Sequence, residues 1–270
     1  MLISLQNEQV KQVVNLQRRK GREAARQFVV EGRRFLEEAL KRGAEILKVF
    51  YCAQREQPEW GPLLAQLRKQ EIPVIGINER ILYKMSSTAE PQGILAVVRQ
   101  PNYTWDDFKA DEQTLLLIID GVQDPGNLGT ILRTALAAGV RQVCLTKGTV
   151  DLYNDKVLRS TMGTIFSLKI LPNLSVQEII AYCRQQNLKL VTADPEGEVL
   201  YGTEMLQLPL AIVVGNEGSG PSALFRASAQ QCVKIPMDHD VESLNVAMAA
   251  GILLYEIVRQ RDFCSEDFLK

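Results

Sequence analysis

The sequence of 270 residues contains a single histidine, His239. Catalytic triads of serine, histidine and aspartate need an imidazole as the general base, and imidazole is also the commonest side-chain ligand of metals. One histidine therefore excludes such triads, histidine-rich metal sites and most general-base schemes. We expect the chemistry of this protein to proceed without an imidazole relay, and we predict no metal site.

Cysteines are also too few and too widely spaced to form a disulfide framework or a zinc site. The five cysteines are odd in number and widely spaced, and none belongs to a Cys-x-x-Cys pair. This pattern argues against a disulfide framework and against a zinc site built on cysteine. The cysteines are Cys52, Cys144, Cys183, Cys232 and Cys264.

Long apolar runs are missing as well. The longest nearly unbroken run covers residues 246–255, which is too short for a membrane span. The N-terminus lacks the apolar region of a signal peptide. We therefore predict a cytoplasmic protein.

Charge is nearly balanced overall but unevenly distributed. The formal net charge is −1, yet residues 1–50 carry eleven Lys and Arg side chains against six Glu. This excess predicts a local cationic surface suited to phosphate groups. The alternative is an ordinary solvated helix surface.

Apolar residues follow helical and strand spacings in alternation, which is typical of an α/β fold. Residues 1–98 are predicted to form a small α/β domain, and residues 99–113 lose the periodicity and are predicted to be a linker. Residues 114–270 then form a second α/β domain. Its strands, such as Leu115–Ile119, are continuous apolar runs of the kind buried on both faces of a parallel sheet.

Near the C-terminus, residues 246–255 leave almost no polar face, so we expect this helix to be covered on all sides. Ser243 lies just before it, where its hydroxyl can cap the helix, and Asn245 is placed inside the first turn. A simple cap is one interpretation. The other is a polar rim over a small ligand bound at the helix N-terminus.

Polar loops follow three apolar strands, at residues 120–127, 215–220 and 236–243. Ligands of open parallel sheets bind at these carboxyl ends of strands. In the first loop, Asn127 starts a helix and Arg133 stands about 9 Å further along it. Arg133 leans back over small residues towards the loop, although it could equally solvate the helix surface.

The second loop has the spacing Gly-x-x-Gly-x-Gly with Glu217 in its middle. It lacks the lysine of a P-loop and the glycine spacing of a dinucleotide fingerprint, so a nucleotide-dependent oxidoreductase is disfavoured. Glu217 suits a cationic ligand or a hydroxyl group. A plain turn with an exposed glutamate remains the alternative.

Together the three loops closely resemble the three motifs of the SpoU/TrmH family of RNA 2′-O-ribose methyltransferases, in the SPOUT superfamily. Phe28-Val-Val-Glu-Gly32 and Pro91-Gln-Gly-Ile94 are similar to the substrate-binding domain that many ribosomal-RNA members carry. One departure is His239, where many members have glycine. The three matching motifs are Asp120-Gly-Val-Gln-Asp-Pro-Gly-Asn-Leu-Gly-Thr-Ile-Leu-Arg-Thr-Ala135, Ile212-Val-Val-Gly-Asn-Glu-Gly-Ser-Gly220, and Ile235-Pro-Met with Glu242-Ser-Leu-Asn-Val-Ala247.

The resemblance implies a C-terminal domain with a deep trefoil knot, S-adenosylmethionine bound in that knot, and a homodimer in which Arg133 of one subunit acts in a site completed by the other. The cofactor contacts implied in this sequence are Gly215, Asn216, Ile235, Met237 and Leu244. The functional polar residues implied are Asn127, Arg133, Glu217, Ser243 and Asn245.

The resemblance also implies methylation of a ribose 2′-hydroxyl in structured RNA, with large-subunit ribosomal RNA favoured. The alternatives are a tRNA substrate, or a catalytically silent protein that binds RNA or assists ribosome assembly. We expect residues 1–98 to select and bind the RNA through phosphate contacts. The residues predicted to make these contacts are Arg18, Arg19, Lys20, Arg22 and Arg26.

Overall fold

The computed structural model describes residues 2, 4–202 and 206–261, and these divide into two compact units. The first unit comprises the chain up to Asn102 together with Tyr153–Phe166. The second comprises Tyr103–Leu152 and the chain from Ser167 onwards. This division differs from the predicted one at the linker and at residues 153–166.

The segment predicted as a linker packs into the second unit from Tyr103 onwards. The ring of Trp105 stacks on that of Tyr182 with centroids 4.4 Å apart, and Phe108 is buried in the same apolar cluster. Tyr182 also donates its hydroxyl hydrogen to the carbonyl of Phe108. Three aromatic rings therefore fix a stretch that has no helical or strand period.

Residues 153–166 were predicted within the second domain but belong to the first unit. The ring of Tyr153 lies 4.7 Å from that of Phe28, and Phe166 packs edge-on against Phe35 at 5.5 Å. A Cβ on Gly163 would lie 2.9 Å from the side chain of Glu38. These contacts join residues far apart in sequence, so local patterns could not reveal them.

The first unit is built on a mixed sheet. Four of its described strands lie in the order β1-β4-β2-β3, with β1 and β2 antiparallel to β4 and β3 parallel to β2. Its helices are α1 (Glu8–Leu16), α2 (Arg19–Ala25), α3 (Arg33–Lys41), α4 (Trp60–Lys69), α5 (Glu79–Met85) and α7 (Asp155–Thr161), and its strands are β1 (Gln27–Glu31), β2 (Ile46–Cys52), β3 (Val74–Ile77) and β4 (Ile94–Arg99).

The apolar spacing of residues 7–20 predicts one amphipathic helix with a basic end, but the chain turns sharply between α1 and α2. A Cβ on Gly21 would lie only 2.1 Å from the carbonyl oxygen of Asn15, so glycine is required at this close approach. The guanidinium of Arg22 is buried and donates to the carbonyls of Leu16 and Gln17 at the end of α1. The prediction that Arg22 contacts RNA is therefore wrong, because its side chain stabilises this turn.

The second unit contains a parallel sheet, as predicted. Its described strands lie in the order β7-β6-β5-β10-β8-β11-β9, and all their pairings are parallel. The strands are β5 (Leu115–Ile119), β6 (Gln142–Thr146), β7 (Lys169–Leu174), β8 (Lys189–Ala193), β9 (Val199–Leu200), β10 (Leu210–Val214) and β11 (Gln231–Lys234), and the helices are α6 (Pro125–Ala137), α8 (Val176–Gln185), α9 (Ala223–Ser228) and α10 (Val246–Gln260).

Strand order places the polar loops together. The chain runs outward from β5 through β6 to β7, whereas β8, β10 and β11 lie on the other side of β5. β5 and β10 are neighbours at the point where the order of strands along the sheet reverses. Open α/β sheets bind ligands at this point. Helices α6 and α10 pack against each other and bring the third loop to the same place.

None of the described helices is long and apolar enough to cross a membrane. The described side chains include no cluster of three or more His, Cys, Asp or Glu arranged for a metal ion. Cys52, Cys144, Cys183 and Cys232 are free thiols, while Cys264 lies outside the described residues. Burial raises the pKa of Cys183 to about 12, so this thiol is protonated at neutral pH.

Candidate active site

The loop after β5 is anchored by a buried carboxylate. Asp120 accepts hydrogen bonds from the hydroxyl of Thr146 at 2.8 Å and from the backbone N–H of Ser222 at 2.7 Å. It thereby joins the ends of β5 and β6 to the segment that follows β10. Both carboxylate oxygens are used inside the protein, so Asp120 has a structural role.

The loop after β10 closes on itself around Asn216. The backbone N–H and carbonyl of Asn216 pair with those of Gly220 at 3.0 and 2.9 Å. Its side-chain oxygen accepts from the N–H groups of Gly218 and Ser219, and its Nδ2 donates to the carbonyl of Gly121 at 2.8 Å. Asn216 thus shapes the loop and ties it to the loop after β5.

Gly215 permits this closure. A Cβ at this position would lie 2.0 Å from both the carbonyl carbon of Gly220 and the nitrogen of Pro221. These are backbone atoms, so no side-chain rotation could relieve the overlap. The sequence requires glycine here because two backbone segments are in direct contact.

Glu217 joins the second loop to the first. Its carboxylate accepts hydrogen bonds from the backbone N–H groups of Gln123 at 3.2 Å and Asp124 at 3.1 Å, and from Nδ2 of Asn127 at 3.1 Å. Burial alone would raise the pKa of Glu217, but the hydrogen bonds from Asn127 and the backbone outweigh it and lower the pKa. The carboxylate is therefore ionised at neutral pH and holds Asn127 in one orientation.

Asn127 and Asn245 complete a chain of hydrogen bonds across the three loops. Nδ2 of Asn245 donates to Oδ1 of Asn127 at 2.9 Å, and Asn127 in turn donates to Glu217. Asn127 lies in the first turn of α6, which begins at Pro125 and is capped by Asp124. The chain from Glu217 through Asn127 to Asn245 brings together three predicted functional residues that are up to 118 positions apart in sequence.

The predicted cap of α10 was placed on the wrong residue. Helix α10 begins at Val246, and Asn245 is its N-cap, with Oδ1 accepting from the N–H groups of Ala247 and Met248. Ser243 lies two residues earlier, in an exposed stretch without regular structure. Its side chain makes no hydrogen bond to any described residue, and it lines the neighbouring pocket.

A pocket of about 510 Å³ opens beside this chain of hydrogen bonds. Its volume lies within the usual range for sites that enclose small molecules. Apolar side chains at its inner end include Val233, Val246 and Leu253, and Glu217 and Ser243 lie on its wall. All five predicted cofactor contacts line it, namely Gly215, Asn216, Ile235, Met237 and Leu244.

Arg133 lies on the exposed face of α6 and does not line the pocket. Its guanidinium has no hydrogen bond or ion pair with the described residues. It is six positions beyond Asn127, which places the two Cα atoms about 9 Å apart along the helix axis. The described chain therefore leaves all five N–H donors of Arg133 available to a ligand or partner.

Two residues of the pocket wall were missed by the sequence analysis. Asp194 is buried at the carboxyl end of β8 and accepts from Nε of Arg226 at 2.6 Å, while Nη2 of Arg226 donates to the carbonyl of Ser219 at 2.9 Å. Arg226 therefore links Asp194 to the loop of residues 215–220, which we call the glycine loop. The position of Asp194 after an apolar strand was a usable signal, whereas Arg226 on the short helix α9 carried none.

The remaining basic residues predicted to contact RNA lie in the first unit and are exposed. Arg19 pairs with Glu23 at 2.7 Å, and Nη2 of Arg26 donates to Oδ1 of Asn102 at 2.6 Å. Arg18 lies with Lys11 and Lys84 around a shallow pocket. Lys20 is exposed as well, so all four of the predicted side chains are accessible to solvent.

Two segments of the chain match described families. Residues 114–255 match the SpoU rRNA Methylase family, and residues 7–96 match the MRM3-like substrate binding domain. The first match covers the parallel sheet, the three loops and most of α10. The second covers most of the first unit.

Full-length relatives agree with these matches. The chain is 36% identical to an uncharacterized tRNA/rRNA methyltransferase of Synechocystis, over 96% of this chain and 94% of the relative. It is 31% identical to the 23S rRNA guanosine 2′-O-methyltransferase RlmP of Bacillus subtilis, over 94% and 97%. The crystal structure of an AdoMet-bound rRNA methyltransferase from Sinorhizobium meliloti superimposes with a TM-score of 0.86 and 30% identity, over 96% of this chain and 97% of that chain.

Proposed function

The chain belongs to the SpoU rRNA methylase family, and from this premise we propose that it transfers a methyl group from S-adenosylmethionine to a ribose 2′-hydroxyl in large-subunit ribosomal RNA. The observation that carries the proposal is the chain of hydrogen bonds from Glu217 through Asn127 to Asn245 at the mouth of a pocket of about 510 Å³. The names of the related enzymes favour ribosomal RNA over tRNA and over a silent binding protein.

The pocket residues fit the chemistry of the cofactor. Ile235, Leu244 and Leu253 offer an apolar surface for an adenine ring, and the backbone of the glycine loop offers polar groups. Four carboxylates and one cation, Arg226, are also among the described residues that line the pocket, and Arg226 pairs with Asp194. The remaining carboxylates, Glu196, Glu217 and Glu242, favour a ligand with positive charge. S-adenosylmethionine supplies an electrophilic methyl group on a positively charged sulfur.

We assign Asn127, Asn245 and Ser243 the task of orienting the ribose hydroxyl. Glu217 holds the amide of Asn127, and Asn245 is fixed by capping α10, so the two amides are positioned before RNA arrives. Ser243 has no partner among the described residues and can bind the RNA directly.

Arg133 is proposed to bind the phosphate next to the target ribose and to stabilise negative charge as the hydroxyl proton leaves. A guanidinium stays protonated in proteins, so Arg133 is unsuited to act as a base. Its free donors and exposed position support this role.

Glu217→Gln is expected to lower methyl transfer roughly ten-fold, which corresponds to about 1.4 kcal/mol of lost positioning. Glutamine cannot accept all three hydrogen bonds that hold the two loops, since its amide nitrogen is a donor. Thermal unfolding should show the variant to be less stable than the wild type at pH 7.

The stability difference should also depend on pH. The lowered pKa of Glu217 means that its contribution is complete above the unfolded value of about 4.3 and is lost as pH falls through the folded pKa. The gap between wild type and Glu217→Gln should therefore narrow as the pH falls below about 4.3 and close once the folded carboxylate is protonated. Glu242→Gln is the control, because Glu242 lines the same pocket without a hydrogen bond to any described residue. An unchanged gap at low pH would contradict the role given to Glu217.

We further propose a homodimer formed by the second unit. The sequence predicted that α10 is covered on all sides, but Met248 is 61% exposed and Tyr255 is 44% exposed. These two side chains stand two turns apart on one side of the helix. Such an apolar face favours a second copy as its cover, and Arg133 on the adjoining helix α6 would then lie near the partner's site.

Met248→Glu combined with Tyr255→Glu is expected to convert the dimer into monomers. Carboxylates placed in an apolar interface would be buried without partners, at a cost of several kcal/mol. Light scattering of the full chain at micromolar concentration measures the effect. Leu224→Glu is the control, since Leu224 is an exposed apolar residue on another helix, α9. A wild-type monomer would refute the interface.

The trefoil knot is also proposed for the second unit. After β11, Ile235, Met237 and residues 242–244 line the same pocket as residues 215–220, and α10 then packs against α6. This closeness of the segment before α10 to the loop after β10 supports the proposal. A crystal structure with continuous density through residues 235–245 would test it.

The first unit is proposed to hold the RNA, with Arg18, Arg19, Lys20 and Arg26 contacting phosphates. Their exposure and the positive charge of residues 1–50 support this assignment. A ribosomal RNA substrate agrees with the predicted cytoplasmic location, which stays a prediction.

The proposed function is tested by methyl transfer from labelled S-adenosylmethionine to unmodified large-subunit ribosomal RNA, with tRNA as the competing substrate. Mapping of 2′-O-methyl groups in RNA from a deletion strain, with and without the gene restored, then identifies the nucleotide. Label on tRNA alone would favour that substrate. Cofactor binding without transfer to either RNA would favour a silent binding protein.

A further inference from the structure

A second pocket lies in the first unit, far in sequence from the three motifs of the active site. It measures about 540 Å³ and is lined by three arginines, Arg33, Arg34 and Arg55, with two glutamines among its other wall residues. No acidic side chain is among the described residues that line it. Glu37 and Glu79, which pair with Arg33 and Arg55, lie outside this lining, and the guanidinium donors that stay unpaired favour an anionic ligand.

The walls of this pocket are held by a network centred on Glu31. Its carboxylate accepts hydrogen bonds from the hydroxyl of Ser86 at 2.6 Å and from the backbone N–H of Gln92 at 2.8 Å. A Cβ on Gly32 would lie 2.4 Å from the side-chain oxygen of Gln92, and one on Gly93 would lie 2.7 Å from the ring of Trp60. The two glycines therefore allow the strand ends and the loop to approach closely.

Arg55 is a fixed part of the wall. Its Nε donates to Glu79 at 2.8 Å, its Nη1 to the carbonyl of Pro91 at 2.8 Å, and its Nη2 to the hydroxyl of Tyr83 at 2.9 Å. All three nitrogens of its guanidinium are engaged. Because Glu79 offsets its charge, Arg55 contributes mainly the fixed shape of the wall.

Arg33 and Arg34 hold the donors that remain available. Only Nη1 of Arg33 is engaged, with Glu37 at 2.8 Å. Arg34 is exposed and has no hydrogen bond or ion pair with the described residues. Both lie in the first turn of α3, where the helix dipole disfavours cations. A bound anion would offset this unfavourable interaction.

We propose that the pocket of Arg33, Arg34 and Arg55 binds backbone phosphates of the RNA substrate. The Glu-Gly segment at residues 31–32 and the Pro-Gln-Gly segment at residues 91–93 then shape the wall of this phosphate site. This inference rests on the proposed function. Guanidinium groups bind phosphate oxygens in pairs of parallel hydrogen bonds. A stacked base is a poorer fit, because Trp60 is only 2% exposed and its ring is covered by the wall.

The test measures binding of the full-length protein to large-subunit ribosomal RNA transcribed in vitro, at several salt concentrations. Each lost phosphate contact lowers the slope of log affinity against log salt by about 0.7 to 0.9. Arg33→Gln with Arg34→Gln is therefore expected to lower the slope by about 1.4 to 1.8. Cofactor affinity, measured by calorimetry, should equal that of the wild type.

The matched control is Arg68→Gln with Lys69→Gln, which removes the same charge from the exposed end of α4. These residues lie at least eight positions from Trp60, or about 12 Å along the helix. Arg34→Lys is a second control that keeps the charge, so it should keep the slope while weakening affinity through the lost paired geometry. Thermal unfolding of each variant shows whether the fold is retained.

Equal slopes for the pocket variant and the wild type, or equal losses in the pocket variant and the Arg68 control, would overturn the inference. If the wild type methylates RNA and its slope is unaffected by the pocket substitutions, the inference fails alone. If the wild type transfers no methyl group yet loses slope in the pocket variant, the proposed function fails and the phosphate site stands. A wild type that binds no RNA would refute both.

Discussion

Arg133→Ala is expected to reduce methyl transfer by a factor of roughly 10² to 10³, which is typical when one group that stabilises transition-state charge is removed. The affinity for S-adenosylmethionine should stay close to that of the wild type. Arg133 is exposed on α6 and does not line the pocket that holds the predicted cofactor contacts. The slower methyl transfer would therefore result from poorer positioning of the RNA and weaker stabilisation of negative charge, and not from weaker cofactor binding.

Calorimetry with the cofactor and single-turnover transfer to RNA separate these two effects. Arg133→Lys keeps the charge but loses the planar pair of donors, so partial activity is expected. Arg184→Ala is the matched control, because Arg184 is exposed on α8 in the same unit and has no hydrogen bond from its side chain to described residues. A large loss of cofactor affinity in Arg133→Ala would place this side chain in the pocket and contradict the assignment.

Gly215→Ala is expected to remove most of the cofactor binding, with at least a ten-fold loss of affinity. The added Cβ would lie 2.0 Å from two backbone atoms, so the loop must move and the paired Asn216 and Gly220 must separate. Overpacking of this kind costs about 1 to 3 kcal/mol, of which 1.4 kcal/mol equals ten-fold in affinity. Calorimetry and thermal unfolding should both register the change.

Gly218→Ala is the control within the same loop. Its Cβ would meet only Oδ1 of Asn216 at 3.6 Å, which is an ordinary contact. Cofactor affinity and thermal midpoint should therefore stay near the wild-type values. If Gly215→Ala behaved like Gly218→Ala, close packing of the backbone would not be what shapes the pocket.

Several parts of the fold were determined by sequence alone because their signals are local. Strand β5 was predicted with the observed bounds, since an apolar run buried on both faces needs no partner to be recognised. The cap of α5 is local in the same way, because Asn78 accepts from the N–H of Ile81, only three residues further along the chain. The three polar loops were likewise predicted to follow strands, at the carboxyl ends where open parallel sheets bind ligands.

Other features depend on contacts between residues distant in sequence, and only the tertiary structure decided them. Arg22 has the same charge as its neighbours, but the turn between two helices buries it against the carbonyls of Leu16 and Gln17. Asn245 donates to Asn127 because α6 and α10 pack together, which brings residues 118 positions apart into contact. Local patterns record what a residue can do with its immediate neighbours. Whether an arginine faces solvent or a carbonyl is fixed by burial and hydrogen bonding, and these arise only when the whole chain is folded.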